Sequence, residues 1–166
     1  MTPVQRRRLF TSFAPGLVLL TAVYTLLSGF RTFRDDFMVE VWNDLRGPGH
    51  GVDFISTEAP VSIAVLLVLL PLGLIRSNRR ALDVNFGVVG LGLVGCAIST
   101  LVFRSGGVSD WWWMAALGFF SYLAYIPFNA ILFDRLIAVL RRPANVGFLI
   151  YLADSFGYLG SVAIVG

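Results

Sequence analysis

Lysine is missing from this 166-residue chain, histidine and cysteine occur once each, and charged residues make up only 14%. Each scarcity excludes something. A single cysteine, Cys96, cannot form an internal disulfide, and inside an apolar run it reads as a small packing residue. The single histidine, His50, sits in the loop Gly47-Pro48-Gly49-His50-Gly51 with no second His or Cys beside it, so it reads as a solvated loop residue and no metal site is expected. No nucleophile–base pair, phosphate loop or ligand cluster occurs, which argues against an enzyme and leaves no cofactor implied. No basic surface is concentrated enough to suggest nucleic-acid binding, although the net charge is +3. So few charges cannot clothe a water-soluble domain of this size.

What the chain has instead is apolar length. Its hydrophobic fraction is 57% and its mean hydropathy +0.77, the composition of an integral membrane protein. Five runs are long enough to be spans: Leu9 to Phe30, Pro60 to Ile75, Ala81 to Phe103, Trp111 to Phe133, and Asn145 to Gly166. They are continuous and do not alternate, so they predict helices and exclude an outer-membrane barrel. The expected fold is therefore all-α, a single polytopic bundle over residues 1–166. Its helices are placed at about 12–45, 58–76, 81–103, 111–139 and 145–166, the first continuing beyond the membrane.

The arginines give the bundle a direction. Arg6, Arg7 and Arg8 precede the first span, Arg76, Arg79 and Arg80 follow the second, and Arg135, Arg141 and Arg142 follow the fourth. Threaded in order, these clusters share one side, and the positive-inside rule makes that side cytoplasmic, with the N-terminus inside and the C-terminus outside. Arg31, Arg34, Arg46 and Arg104 fall on the other side, the first three interleaved with Asp35, Asp36, Glu40 and Asp44. Arg7-Arg8-Leu9-Phe10 faintly resembles a twin-arginine export signal, but no small-x-small cleavage site follows, so the first span reads as a retained helix. A bacterial inner (plasma) membrane is the expected location, with the lipid bilayer as first partner.

Local signals refine the helices. Thr11 or Ser12 can cap the first, with Pro15 in its first turn, and Phe30, Phe33, Phe37 and Val41 extend an apolar stripe to about Leu45. Thr57 can cap the second ahead of Pro60. Gly87, Gly90, Gly92 and Gly95 in the third read as a close-packing face. Trp111, Trp112 and Trp113 mark a membrane interface, and Pro127 should kink the fourth helix and free backbone carbonyls toward a neighbour or cavity.

Three helices carry polar stripes. In the fifth, Gly147, Tyr151, Asp154, Gly157, Tyr158 and Ser161 fall on one arc, opposite Leu149, Leu152, Phe156, Leu159 and Ala163. In the fourth, Gly118, Tyr122, Tyr125 and Asn129 share a face, and in the first Thr21, Tyr24, Ser28, Arg31 and Asp35 align with Arg34 at their edge. Such stripes can be satisfied together around a shared interior. Asp154 stands out, since a carboxylate within a span costs on the order of 2.5 to 3.5 kcal/mol unless protonated, paired or wetted.

Two readings of the stripes stand side by side. One is a solute pathway with Asp154 as an ion or proton site and Arg31 as an anion contact; the other is a set of interhelical bonds that only hold the bundle together. Arg31 and Asp35 also fit a local i, i+4 surface pair, and Arg31 stands roughly 10 to 15 Å from Asp154 along the bundle, too far for direct pairing. Asp134 and Arg135 begin the turn between the last two helices, where Asp134 pairs with a loop arginine either as a gate or as an interface anchor.

The strings FRDDFMVEVW, STEAPVSIAVLLV, NRRAL, YIPFNAILFDRLIA and NVGFLIYLADSFGYLGSV together resemble the C-terminal half of a little-characterised bacterial family of twelve-span proteins similar to the major facilitator superfamily. The resemblance implies that the five helices correspond to spans seven to eleven. It further implies that the first, second, fourth and fifth helices line a central cavity and that the third lies outside. It also implies a missing six-helix partner lobe and a missing last helix, so that transport of a small polar or anionic solute, coupled to protons, would need a partner lobe or a second copy. The competing expectation is a non-transporting scaffold or the remnant of a truncated transporter gene.

Overall fold

The computed structural model describes residues 3–47, 54–140 and 146–165, so His50, Arg141 and Arg142 lie outside the described residues. Its elements are α1 (Pro3–Asp36), α2 (Met38–Arg46), α3 (Phe54–Leu69) with a 3₁₀ tail (Leu70–Leu74), α4 (Asn78–Arg104), α5 (Asp110–Pro127), a π-helical turn (Phe128–Leu132), α6 (Phe133–Leu140) and α7 (Val146–Val165). Among the described residues the fold is all-helical and has no strand. Four stretches of the described residues are long and apolar enough to cross a membrane: Ala14–Asp36, Ile55–Leu74, Asn78–Arg104 and Asp110–Val139. Gly147–Ala163 is a shorter apolar helix.

Several helix boundaries differ from the sequence expectation. α1 begins at Pro3 and not near Thr11, because the Gln5–Leu9 segment has good helix formers and Pro3 suits a first-turn position, leaving Pro15 inside the helix. α3 begins by Phe54, so Thr57 is an interior helical residue at 1% exposure and not a cap. The expected apolar stripe past Phe30 is also interrupted. α1 ends at Asp36, Phe37 takes φ −101° and ψ 12°, and the turned register makes α2 bury Met38 and Trp42 while Phe33 stays exposed. Met38 and Trp42 pack with Met114 under Trp111 and Trp113.

α5 is the centre of the bundle, packing against α1, α3 and α4. It runs antiparallel to α4, since Asn85 meets Pro127 at one end and Thr100 meets Trp113 at the other. Half of the α4 glycine face forms this joint. A Cβ on Gly92 would stand 2.8 Å from Cβ of Ala124, and one on Gly95 2.2 Å from the Phe120 ring, whereas Gly87 and Gly90 face open space. α1 and α7 run parallel: Tyr24 reaches Asp154 and, further along both helices, Thr32 reaches Ser161. Gly157 and Gly160 admit this approach, for added Cβ atoms would meet Ser28 and Tyr24 at 2.9 Å and Thr25 at 2.6 Å. The main core joins α1, α4, α5, the π turn, α6 and α7 through Tyr24, Leu27, Val89, Ala124, Phe128, Leu132, Phe133, Leu149 and Ala153.

Pro127 lacks an N–H, and the helix answers with a widened π turn just after it. The Pro127 carbonyl accepts a hydrogen bond from Asn85 Nδ2 at 3.3 Å, although the carbonyl that the missing N–H frees is that of Leu123, four residues earlier. Asn85 is completely buried, and its Oδ1 has no hydrogen-bond partner. Outward faces are apolar, with Leu26, Leu66, Leu70 and Leu101 each more than half exposed.

Candidate functional site

Among the described residues two polar clusters lie inside this apolar bundle, both involving α1 and α5. The first surrounds Asp154. Tyr24 is 2% exposed and its hydroxyl donates to Asp154 Oδ1 at 2.6 Å. Asn129 Nδ2 donates to the same Tyr24 oxygen at 2.6 Å and reaches Asp154 Oδ1 at 3.5 Å. Because the one Tyr24 proton is committed to the carboxylate, the 3.2 Å contact between Tyr24 and Tyr125 must be donated by Tyr125. The result is a directed chain, Tyr125 to Tyr24 to Asp154. The two rings also stack at 5.7 Å between centroids, which fixes both hydroxyls.

The carboxylate is held by one oxygen only. Asp154 Oδ2 has no partner among the described residues, and the residue is only half-buried. At the other end of the chain, the Arg31 guanidinium lies 4.8 Å from the centre of the Tyr125 ring. No described residue pairs with Arg31, and its buried Nε has no hydrogen-bond partner. A cation and an anion thus stand at opposite ends of a tyrosine pair without touching.

The second cluster is built differently. Arg34, at 4% exposure, binds Glu58 Oε1 at 2.5 Å and Asp35 Oδ1 at 3.3 Å, joining α1 to α3. The Tyr122 hydroxyl donates to Asp35 Oδ1 at 3.2 Å, bringing in α5. Gly118 makes the seat, because a Cβ there would stand 2.5 Å from Arg34 Nη2. Every charged group in this cluster has an ion-pair or hydrogen-bond partner, although Arg34 Nε, like Arg31 Nε, is buried without one, so the two clusters differ in ion pairing and not in that atom.

Of the residues singled out in the sequence, the structure brings together Tyr24, Tyr125, Asn129 and Asp154, with Arg31 beside them. It places Tyr122 and Asp35 in the second cluster. Asp35 pairs with Arg34 and not with Arg31, because Arg34 lies on the face of α1 that α3 and α5 cover. Tyr151 and Tyr158 are not in either cluster. They are 76% and 72% exposed, since α7 turns Leu149, Ala153 and Gly157 inward and leaves both tyrosines on its outer face; Leu149, expected outside, is buried. Asp134 is exposed and Arg135 donates to Asn78 Oδ1 at 2.7 Å, both beside a separate cleft. The Arg34–Glu58 tie was not read from the sequence. Its signal was Glu58, the one carboxylate at the start of an otherwise chargeless helix.

No group of three or more His, Cys, Asp or Glu capable of holding a metal occurs among the described residues. The described residues thus define an all-helical protein with several helices long and apolar enough to span a membrane and a half-satisfied carboxylate on a shorter apolar helix. Over residues 1–166 the chain matches a family of unknown function (DUF5690), and it belongs to that family. No curated protein and no solved structure matches it.

Proposed function

We propose that this protein is a membrane-embedded lobe of a solute transporter, and that Asp154, Tyr24, Tyr125, Asn129 and Arg31 form the site through which a small polar or anionic solute passes together with a proton. The observation that carries this reading is the separation of Asp154 from Arg31. An ion pair used only for stability would close, as Arg34 closes on Glu58. Here the carboxylate keeps Oδ2 free for a proton, and the guanidinium keeps its charge free for an anion. Lipid would surround the apolar outer faces, α7 would be the fifth span, and the Arg76–Arg80 turn would be cytoplasmic. Similarity to a lobe of the major facilitator superfamily rests on the sequence strings alone.

A transport pathway of this kind needs a second lobe. The outer face of α7 supports one, because the exposed Tyr151 and Tyr158 would place two phenolic hydroxyls in hydrocarbon unless a partner lobe or a second copy covers them.

The test is reconstitution of the chain, alone and with copurifying membrane partners, into liposomes carrying a lumenal pH dye. Small carboxylates, amino acids and sugars are added outside in turn. One class should acidify the lumen, and Asp154→Asn should reduce that flux by roughly 100-fold, the scale of losing an essential proton-transfer group. Absence of flux from every preparation, with Asp154→Asn differing from wild type in stability only, would sink the reading.

A further inference from the structure

Where α3 turns into α4, a cleft of about 270 Å³ opens between Gly73, Asn78, Ala130, Ile131, Asp134 and Arg135, none of which belongs to the Asp154 cluster. We propose that it binds the headgroup of an anionic phospholipid bearing a free hydroxyl, of the phosphatidylglycerol class. This rests on membrane placement but not on transport.

Three observations converge on that chemistry. Arg135 is half-buried at the cleft wall and is held by a neutral amide, Asn78 Oδ1 at 2.7 Å, so its charge is oriented without being neutralised. Arg76, Arg79 and Arg80 are exposed on the adjoining turn, and none of these four arginines has an ion-pair partner among the described residues. The cleft also sits at the ends of two long apolar stretches, Ile55–Leu74 and Asn78–Arg104, the depth at which phosphate groups lie.

Asp134 decides between anions. A bare phosphate would be repelled by its carboxylate on the cleft wall. A phosphodiester carrying a glycerol headgroup can set its phosphate on Arg135 and donate a hydroxyl to Asp134, satisfying both signs at once.

Native mass spectrometry of the full chain from mixed micelles tests this, using phosphatidylglycerol and phosphatidylcholine of identical acyl chains, with free glycerol 3-phosphate as the soluble arm. Wild type should retain phosphatidylglycerol in preference. Arg135→Gln should lower that retention about fivefold, the equivalent of roughly 1 kcal/mol for one arginine at an anionic surface. Arg104→Gln, at the opposite end of α4, should leave it unchanged. If Arg135→Gln does not fold, Arg79→Gln/Arg80→Gln carries the same expectation on the exposed rim. Equal retention of both lipids, or an undiminished preference in these variants, overturns the proposal. Displacement of the lipid by glycerol 3-phosphate at equal concentration also overturns it, in favour of a soluble anion.

Discussion

The Arg34 and Asp154 clusters use the same two helices and nearly the same residue types, yet one is closed and the other open. Arg34 touches both of its carboxylates, is covered by three helices, and rests on a glycine shaped for it. Asp154 touches only a tyrosine and an asparagine, with the nearest free cation beyond a second tyrosine. The lesson is that charge inside an apolar bundle is not evidence of function by itself. A pair that satisfies itself ties helices together, whereas a charge left half-satisfied keeps a place for something else. This distinction is breakable by substitution.

The largest stability effect is expected at the closed cluster. Arg34→Met removes the cation shared by Asp35 and Glu58 and leaves two carboxylates facing each other across α1 and α3. Breaking a buried pair at one partner typically costs 3 to 5 kcal/mol, and since both acids are partly exposed the loss here should be about 3 kcal/mol. Unfolding in mixed micelles measures it. A further change, Glu58→Gln with Asp35→Asn, should restore part of the loss by removing the stranded charges. Asp154→Asn in the same assay should move stability by less than about 1 kcal/mol, because the amide can still accept from Tyr24. If Asp154→Asn proves as damaging as Arg34→Met, the two clusters are alike and the distinction fails.

Gly157→Ala probes the joint that sets up the open cluster. The new methyl would stand 2.9 Å from Ser28 Oγ and from Tyr24 Cε1. Ser28 can turn away; Tyr24 is held by its stack on Tyr125 and its bond to Asp154. α1 and α7 must therefore separate, at a cost of roughly 1 to 3 kcal/mol for overpacking. Cross-linking of cysteines placed at Thr32 and Ser161, 3.0 Å apart between hydroxyls, should slow in the variant. An unchanged cross-linking rate would mean that Gly157 does not govern the approach.

Much of the open cluster was legible before folding was considered. Tyr24, Tyr125, Asn129 and Asp154 each lie on a helical polar stripe, and a carboxylate in an apolar run must find partners on neighbouring helices. The share that was not legible has a common physical cause. A 100° arc is wide, so Asp154, Tyr151 and Tyr158 look alike in projection, and only the glycine joint with α1 turns Leu149 and Ala153 inward instead of the tyrosines. Arg31 and Arg34 are three residues apart on one helix. Which of them takes the acids depends on Glu58, which arrives from α3. Gly118 was visible on its stripe, but its role as a seat exists only once Arg34 is in place. Pro127 is the opposite case, since a proline within a helix dictates a local defect wherever the neighbours lie, and the π turn follows it.

Asn85 offers the smallest effect and the finest distinction, because it is a buried polar residue belonging to neither cluster. Its Nδ2 bond to the Pro127 carbonyl is long at 3.3 Å, and its Oδ1 is buried without a partner. Replacement by leucine removes one weak bond and one orphaned acceptor together. Interhelical hydrogen bonds in apolar surroundings average about 0.6 kcal/mol, and relieving an unpaired acceptor offsets a loss of that size, so Asn85→Leu should change stability by less than about 1 kcal/mol. Hydrogen exchange over residues 128–132 gives the second readout: the Pro127 defect comes from the missing N–H and not from the amide, so protection of the π turn should persist in Asn85→Leu and increase in Pro127→Ala. A loss above about 3 kcal/mol for Asn85→Leu would instead place Asn85 with Arg34, among the polar groups that the bundle cannot lose.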